Sequence, residues 1–352
     1  MNPRAERATG RWFASGLAGF ALVWLCGCAS LPPERWAGYE FTRAQMGLPF
    51  RIVLYAPDDA TARRAADAAY ARIRQLNAIM SDYEPESELS RLSGSSGQGR
   101  AVKVSEDLWR VLERAQEFSQ RSDGAFDITV GPVVGLWRKA RRTRTLPAAD
   151  ELSVARAHMG WRKLRLDATN HTAELLAPGM KLDLGAIAKG YAADEALKVL
   201  RAHGITRALV SGGGDMAAGD APPGRRGWRI ELAPLDTEGS ETTNFVLIAN
   251  CGLATSGDAF QRLEIAGQRY SHIVDPRTGV GLTDHSLVVV IARDGMTADG
   301  LSTAVSVLGP ERGMTLVAAT TGAEARIVRQ PATGREVRES AGFRRFLDAP
   351  AP

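Results

Sequence analysis

The chain has 352 residues, of which 44% are hydrophobic and 24% are charged, and its formal net charge is +4. This length and apolar content suffice for the core of one large globular domain or of two ordinary ones, which argues against a disordered protein. Two of the four net positive charges come from the three arginines and one glutamate of residues 1–27. The remaining charge is too small to indicate a nucleic-acid-binding protein.

The N-terminus has the layout of an export signal. Arginines in residues 1–11 precede the apolar run WFASGLAGFALVWL, and the small-residue segment CGCAS follows it. The run is too short to span a bilayer comfortably. Its end, LCGC at residues 25–28, is similar to a bacterial lipobox, in which a lipidated Cys28 becomes the new N-terminus after cleavage.

We therefore expect residues 1–27 to be a lipoprotein signal peptide and residues 28–44 to be a linker that follows the lipidated Cys28. Several acyl chains on one cysteine would form a stable membrane anchor. The alternative is an uncleaved anchor, or a plain signal peptide in which the cysteine is incidental.

Hydrophobic periodicity predicts the elements of the first half of the body. In chain order they are a strand at 50–56, a helix along 62–80, a Ser/Gly-rich loop at 90–102 and a helix at 105–124. The last of these begins with a capping box at Ser105 and stops at Gly124. The basic run RKARRTRTLP at 138–147 is interpreted as a solvated loop, with contact to a membrane surface or an anionic partner as the alternative.

Strands are more frequent in the second half. The predicted elements are a hairpin from 163–166 and 172–175, a helix at 187–203, strands at 207–212, 227–233, 244–250 and 286–292, helices near 297–320 and a strand at 324–329. Helices and strands are interleaved without a strict βαβ rhythm, and several strands are consecutive. This order predicts α+β layers in place of a doubly wound parallel sheet.

The segment LDLGAIAKGYAAD, residues 182–194, sets Asp183 six residues before Lys189 with small or aliphatic residues between them. An apolar segment, the pair Gly185-Ala186 and a following helix indicate a turn whose exposed amides face a flat or phosphorylated ligand. The alternative is that Asp183 caps a helix and that Lys189 is solvated.

A second motif, TADGLSTA, places Asp299 and Thr303 four residues apart. On a helix, this spacing puts a carboxylate and a hydroxyl on the same face. With a backbone carbonyl and waters, the two could make a sparse Mg²⁺ site that binds the ion jointly with substrate phosphates. Taken alone, the motif favours the alternative, a helix cap at Asp299.

Two further segments carry weaker signals. The glycines of SGGGD, residues 211–215, follow an apolar strand and match neither the Rossmann nor the Walker pattern, and such a turn is more often a tight turn than a ligand loop. His272 precedes Pro/Gly turn signals in YSHIVDPRTGVG, where a lone histidine is usually structural.

Taken together, seven ordered motifs resemble the ApbE family of FAD:protein FMN transferases. They are MSDYEPESELSRLS (80–93), GAFDITVGPVVGLW (124–137), LDLGAIAKGYAAD (182–194), GGGD (212–215), ATSGD (254–258), YSHIVDPRTG (270–279) and ADGLSTAV (298–305). The resemblance runs from about Gly47 to Gly309. The chain departs from the family pattern at Leu48, where Thr is usual, and at Ser211, where Asn is frequent.

The resemblance implies one catalytic α+β domain at 45–345, T-fold-like in its core and built as one or two lobes. It implies Mg²⁺-dependent transfer of FMN from FAD to a Thr or Ser hydroxyl of a partner protein, with release of AMP. The implied partners are subunits of redox-driven ion pumps or related membrane flavoproteins. A lipid anchor at Cys28 would then place the enzyme in the cell envelope facing the periplasm, with the inner membrane favoured over the outer.

The same resemblance implies the site residues. For FAD they are Met46, Tyr83 stacked on the flavin, Ala125, Phe126, Asp127, Asp183, Lys189 and Ile273. For Mg²⁺ they are the Ala186 carbonyl, Asp299 and Thr303.

Catalysis requires a base for the acceptor hydroxyl. His272 is our candidate because imidazole titrates near the working pH, and Asp258 is a weaker candidate for orienting the hydroxyl. Two other functions use the same residues: a Mg²⁺-dependent FAD pyrophosphatase that gives FMN and AMP, and a flavin-binding lipoprotein without enzymatic activity.

The lipobox generates the first testable prediction. Cys28→Ser should leave an uncleaved precursor or a soluble product, because cleavage at a lipobox depends on the modified cysteine. Radiolabelled fatty acid supplied to cells should mark the wild-type protein alone. Equal labelling of both forms would refute the assignment.

Overall fold

The fold is built on an eight-stranded antiparallel sheet, with helices on one face and a two-stranded sheet on the other. The structure is a computed structural model and describes residues 36–235, 244–257, 262–265, 267–331 and 333–348. From Trp36 onward the chain forms one compact unit. The predicted α+β layering is confirmed.

In the second half of the chain, many strands follow one another without a helix between them. They are β1 (Ala37–Gln45), β2 (Leu48–Ala56), β3 (Val102–Lys103), β4 (Leu164–Asp167), β5 (Thr172–Leu175), β6 (Ala208–Gly212), β7 (Asp215–Ala218), β8 (Trp228–Leu232), β9 (Asn244–Ile248), β10 (Cys251–Gly257), β11 (Arg262–Ile265), β12 (Gln268–Ser271), β13 (Val274–Asp275), β14 (Val280–Gly281), β15 (Ser286–Ala292), β16 (Glu324–Arg329) and β17 (Glu336–Glu339). The main sheet has the order β1-β2-β6-β7-β10-β15-β16-β17, and β8 pairs with β9.

The helices are α1 (Asp59–Met80), α2 (Glu88–Gly94), α3 (Glu106–Arg121), α4 (Gly131–Thr143), α5 (Ala149–Ala157), α6 (Ala188–Ala202) and α7 (Gly295–Ala318). Helix α7 loses helical geometry at Gly309, directly before Pro310. None of the helices in the described residues is long and apolar enough to cross a membrane.

The central strand β15 shows why a continuous apolar run becomes a strand buried on both faces. Val288 and Val290 pack into the large core with the helices, while Val289 and Ile291 pack into a second core against β8 and β9. Successive side chains of a strand point to opposite faces, so both sides of β15 need apolar residues.

Each helix and strand predicted from periodicity is present within a few residues of its expected bounds. The N-cap of the predicted capping box is present, since the Ser105 hydroxyl accepts a hydrogen bond from the Leu108 N–H at 3.3 Å. The reciprocal half of the box is wrong, because the third helical residue is Leu108 and the Ser105 N–H donates to Glu88 Oε1 at 2.6 Å. Helix α3 ends at Arg121, and Gly124 follows in the left-handed region with φ 74°.

Three predicted loops are wrong in part. Residues 37–44 of the expected linker belong to the edge strand β1, whose residues are mostly exposed and whose alternation is confined to the partly buried Tyr39 and Phe41. Residues 90–94 of the Ser/Gly-rich segment form the C-terminal part of α2, whose N-cap is Ser87. The basic run is helical up to Thr143, since Val133, Trp137 and Ala140 anchor α4 in a core.

Helices α6 and α7 approach each other closely through glycines. A Cβ atom on Gly190 would lie 2.1 Å from the Gly295 carbonyl oxygen and 2.8 Å from the Asp299 Cβ. A side chain at this position would therefore push α7 away from α6, together with the residues that α7 carries.

We expect Gly190→Ala to destabilise the protein by about 2 kcal/mol, because an added methyl group has no space between the helices. Gly135→Ala in the exposed part of α4 is the control, since nothing lies within 4 Å of its Cβ position. It should be neutral or stabilise by about 0.5–1 kcal/mol, because alanine favours helices over glycine. Urea unfolding measures both, and equal midpoints for the two variants would contradict the tight contact.

Candidate functional site

A turn of small residues leads into α6 and carries Asp183. One carboxylate oxygen of Asp183 accepts a hydrogen bond from the Gly185 N–H at 2.8 Å, and the other lies 2.8 Å from Arg138 Nη2. The residue that precedes α6 is Ile187, and its helix end has no side-chain cap. Asp183 is therefore a buried member of the turn, and its interpretation as a helix cap is wrong.

The backbone amides of this turn are used inside the turn. The N–H groups of Ile187 and Ala188 donate to the Leu184 carbonyl at 3.0 and 2.9 Å, and that of Gly185 donates to Asp183. The expected row of exposed amides is therefore wrong at these positions. Gly185 is nevertheless exposed, so this part of the turn presents little steric bulk to a ligand.

Lys189 lies beside this turn with its side chain only 24% exposed. Its Nζ donates to the Gly185 carbonyl at 2.5 Å, and it lies 3.1 Å from Asp215 Oδ2 and 3.7 Å from Asp299 Oδ1. Burial opposes the charged form, but the two aspartates outweigh it and raise the pKa of Lys189 above its ordinary value. The alternative of a solvated lysine is wrong.

Asp299 lies inside α7 and does not cap it. The cap is Asp294, whose side chain accepts a hydrogen bond from the Thr297 N–H at 2.7 Å. The buried carboxylate of Asp299 accepts a hydrogen bond from the Gly190 N–H at 3.0 Å and faces Lys189. The predicted alternative of an Asp299 cap is therefore wrong.

The two carboxylates at Lys189 outnumber its single ammonium group. Burial, and then the charge of Asp215, raise the pKa of Asp299 to about 7 against the opposing effect of Lys189. Burial also raises the pKa of Asp215. With both carboxylates ionised, the cluster has one negative charge in excess in a place where little water can compensate it.

This donor set fits a divalent cation. Thr303 lies one turn after Asp299 on α7, half-buried, and its hydroxyl has no hydrogen-bond partner among the described residues. Carboxylate, hydroxyl and backbone carbonyl oxygens are the hard ligands that Mg²⁺ prefers. The described ranges contain no group of three or more His, Cys, Asp or Glu side chains able to hold a metal ion. A metal site at this place would therefore have few protein ligands.

Asp215 was not predicted as a site residue, although its motif was noted. It begins β7 directly after the glycines, and its side chain is 5% exposed with Lys189 as its ion-pair partner. The sequence shows a carboxylate directly after a Gly-rich turn. Only the fold shows that Lys189 lies beside it.

Asp194 on α6 was also missed. Its two carboxylate oxygens accept hydrogen bonds from the N–H groups of Gly295 and Met296, both at 2.8 Å, so α6 holds the first turn of α7. Burial raises the pKa of Asp194 from 3.8 to about 7 against these hydrogen bonds. The residue thereby positions the helix that carries Asp299.

Tyr83 lies in the segment after α1 with 72% of its surface exposed. An exposed aromatic ring of this kind is available to stack on a flat ligand. The Arg138 guanidinium lies over the ring, 4.3 Å from its centroid, and forms ion pairs with Asp82 and Asp183. Asp82 and Arg138 were not predicted as site residues.

The segment 125–127 lies in the interior. Phe126 is 2% exposed and packs against Phe118, and Ala125 shares a small apolar cluster with Ile273. The Asp127 carboxylate accepts hydrogen bonds from Thr129 and from the Trp161 N–H at 2.9 Å. These side chains support the loops around the site, and their predicted contact with FAD stays a prediction.

The remaining predicted residues are dispersed. Met46 lies at the tip of the β1–β2 hairpin with φ 51°, and Leu48 reaches the glycine turn, 3.6 Å from the Cβ position of Gly213. His272 is exposed directly after β12. The other predicted residues, Cys28 and Asp258, lie outside the described residues.

Comparison with known proteins identifies the relatives of this arrangement. A model of the ApbE family matches residues 46–327. The chain is 33% identical over 261 residues to a FAD:protein FMN transferase of Haemophilus influenzae, covering 72% of this chain and 75% of that protein. It is 33% identical over 345 residues to the protein of the same name from Treponema pallidum, covering 92% and 94%.

Solved structures agree with the sequence comparison. The flavin transferase ApbE from Vibrio cholerae has a TM-score of 0.79 at 28% identity and covers 89% of this chain and 100% of that one. The apo form of the Pseudomonas stutzeri flavinyl transferase ApbE has a TM-score of 0.78 at 29% identity, covering 91% and 100%.

The buried Asp194 generates a pH-dependent prediction. Its folded pKa of about 7 exceeds the unfolded value of 3.8, so the folded state holds this proton more tightly and is favoured at low pH. This contribution to the free energy of unfolding is full below about pH 4 and is lost as the pH rises to about 7. Asp194→Asn should flatten this decline in urea unfolding series. The exposed Asp59→Asn is the charge-matched control, and parallel curves for Asp194→Asn and wild type would contradict the assignment.

Proposed function

The chain belongs to the ApbE family, and on this premise we propose that it transfers FMN from FAD to a Thr or Ser hydroxyl of a partner protein and releases AMP. The observation that carries the proposal is the buried cluster of Lys189, Asp215 and Asp299 beside an exposed turn of small residues. A dinucleotide offers a flat ring that suits the exposed Tyr83 and a pyrophosphate that the cluster would bind through a divalent cation.

Mg²⁺ is the proposed metal. The residues that would hold it are Asp299, Thr303 and the Ala186 carbonyl. The two carboxylates of Asp215 and Asp299, which outnumber the single ammonium group of Lys189, support this assignment. The bound ion would neutralise the charge that develops on the pyrophosphate during phosphoryl transfer.

The chain's own residues would position the reacting groups. In our proposal, the Lys189 ammonium group faces the pyrophosphate. Asp215 and Asp299 keep this group protonated. The Tyr83 ring holds the flavin end by stacking, which fixes the FMN-side phosphorus for the incoming hydroxyl.

His272 is the proposed base. The acceptor's hydroxyl oxygen forms a bond to the FMN-side phosphorus, the bond from that phosphorus to the bridging oxygen breaks, and AMP leaves with that oxygen. The hydroxyl proton passes to His272, whose exposure after β12 makes it accessible to a second protein.

The acceptor is proposed to be a membrane flavoprotein, such as a subunit of a redox-driven ion pump. A lipid anchor at Cys28 would hold the enzyme in the cell envelope facing the periplasm, beside such a protein. The Arg-rich start, apolar run and LCGC segment support this location.

Incubation of the protein with FAD, Mg²⁺ and a membrane flavoprotein subunit encoded beside its gene tests the function. Transfer should give a fluorescent acceptor band on a denaturing gel together with stoichiometric AMP. Free FMN with an unlabelled acceptor would instead identify a pyrophosphatase, and unchanged FAD a flavin-binding protein.

Two aspartates of α7 allow a matched test of the metal assignment. Asp299→Ala should abolish Mg²⁺-dependent AMP release and weaken Mg²⁺ binding measured by calorimetry, because it removes the proposed anionic ligand. Thr303→Val should show a partial loss that excess Mg²⁺ relieves. Asp294→Ala removes the actual cap, so it should lower stability by about 1 kcal/mol and leave turnover per folded molecule near normal. Full Mg²⁺ affinity in Asp299→Ala would refute the assignment.

A further inference from the structure

Arg138 connects three separate parts of the chain at the candidate site. It lies on α4, which is fixed in a core by Trp137, whose indole N–H donates to the Gly279 carbonyl at 2.8 Å. From there its guanidinium reaches Asp82 in the segment after α1 and Asp183 in the turn before α6. The side chain is 24% exposed, so these ion pairs are partly shielded from water.

The two carboxylates determine where the guanidinium lies. Asp183 Oδ2 lies 2.8 Å from Nη2, and Asp82 binds Nη1, so both ends of the planar group are held. The fixed plane lies over the Tyr83 ring, with the guanidinium carbon 4.3 Å from the ring centroid. A planar guanidinium stacks on an aromatic face in a way that the ammonium group of lysine does not reproduce.

The exposed Tyr83 ring is supported by this contact. The residue is 72% exposed, and within the part of the chain that the structure describes Arg138 is the cation that lies over it. A ring with one face on Arg138 has its other face available. An aromatic side chain ordered before binding loses less conformational entropy when a flat ligand stacks on it.

We infer that Arg138 is a positioning residue of the flavin site, which supports one face of Tyr83 so that the opposite face receives the isoalloxazine ring. This inference rests on the proposed flavin transferase function. Asp82 and Asp183 act one step further out, since they hold the guanidinium in the plane of the stack.

The test is a double-mutant cycle of Tyr83→Ala and Arg138→Ala, with FMN affinity measured by fluorescence quenching in EDTA so that no turnover occurs. Arg138→Ala should weaken FMN binding about fivefold, and the fluorescence of the bound flavin should be less quenched. In the Tyr83→Ala background, the same substitution should change FMN affinity by less than about twofold, because Arg138 acts through the ring.

Three controls separate positioning from general damage. AMP lacks the flavin ring, so its affinity should be unchanged in Arg138→Ala. Arg141→Ala removes the same charge one turn along α4, where the described residues show no ion pair, and should bind FMN normally. Arg138→Lys and Asp82→Asn disturb the fold less and should give intermediate FMN affinities, and they carry the test if Arg138→Ala does not melt cooperatively.

Full FMN affinity in Arg138→Ala, or losses that add in the double variant, would overturn the inference. Unchanged FMN binding in Tyr83→Ala would also overturn it, since the ring would not be the flavin platform. A coupled loss of FMN binding in a protein that labels no acceptor would leave the inference standing and count against the transfer function alone.

Discussion

The contact of Lys189 with Asp215 and Asp299 is the constraint on which the site depends. It joins α6, the first residue of β7 and the second turn of α7, so three elements of the fold meet at one ammonium group. Removing one partner of a buried ion pair leaves an uncompensated charge, which is strongly destabilising. The main sheet and the helix layer are thus held in register by one buried cluster of charges.

The packing of α6 against α7 transmits this constraint through the helix layer. Gly190 and Gly295 let the two backbones approach, and the helices exchange hydrogen bonds in both directions. Asp194 of α6 receives N–H groups of α7, while Asp299 of α7 receives one of α6. Such an arrangement fixes both position and rotation of α7, which places Asp299 beside Gly190 and Lys189. Tyr83 differs from these buried residues, since it is exposed and its ring lies under the Arg138 guanidinium.

Periodicity predicted the elements whose burial follows their own sequence. The run SLVVVIA forms β15, and the apolar residues at helical spacing along 62–80 form α1, because each of these segments buries the face that its pattern encodes. The missed elements carry weaker or masked patterns. Edge strand β1 is mostly exposed. Helix α4 has helical spacing at Val133, Trp137 and Ala140, but its end is so basic that it resembles a loop. A favourable position of cationic residues at a helix C-terminus is invisible to hydrophobic spacing alone.

The sequence by itself determined the family, the α+β class and the motifs that contain the site, because seven ordered segments restrict the alternatives. It left each motif ambiguous. Asp183 and Asp299 could also be interpreted as helix caps, and Lys189 as a solvated charge. Only the tertiary structure decided among these, by supplying Asp294 as the cap of α7 and by bringing Asp215 to Lys189. It also decided that Arg138 lies over Tyr83. The physical reason is that burial and ion pairing are properties of contacts between residues far apart in the chain, and the spacing within one motif carries no information about them.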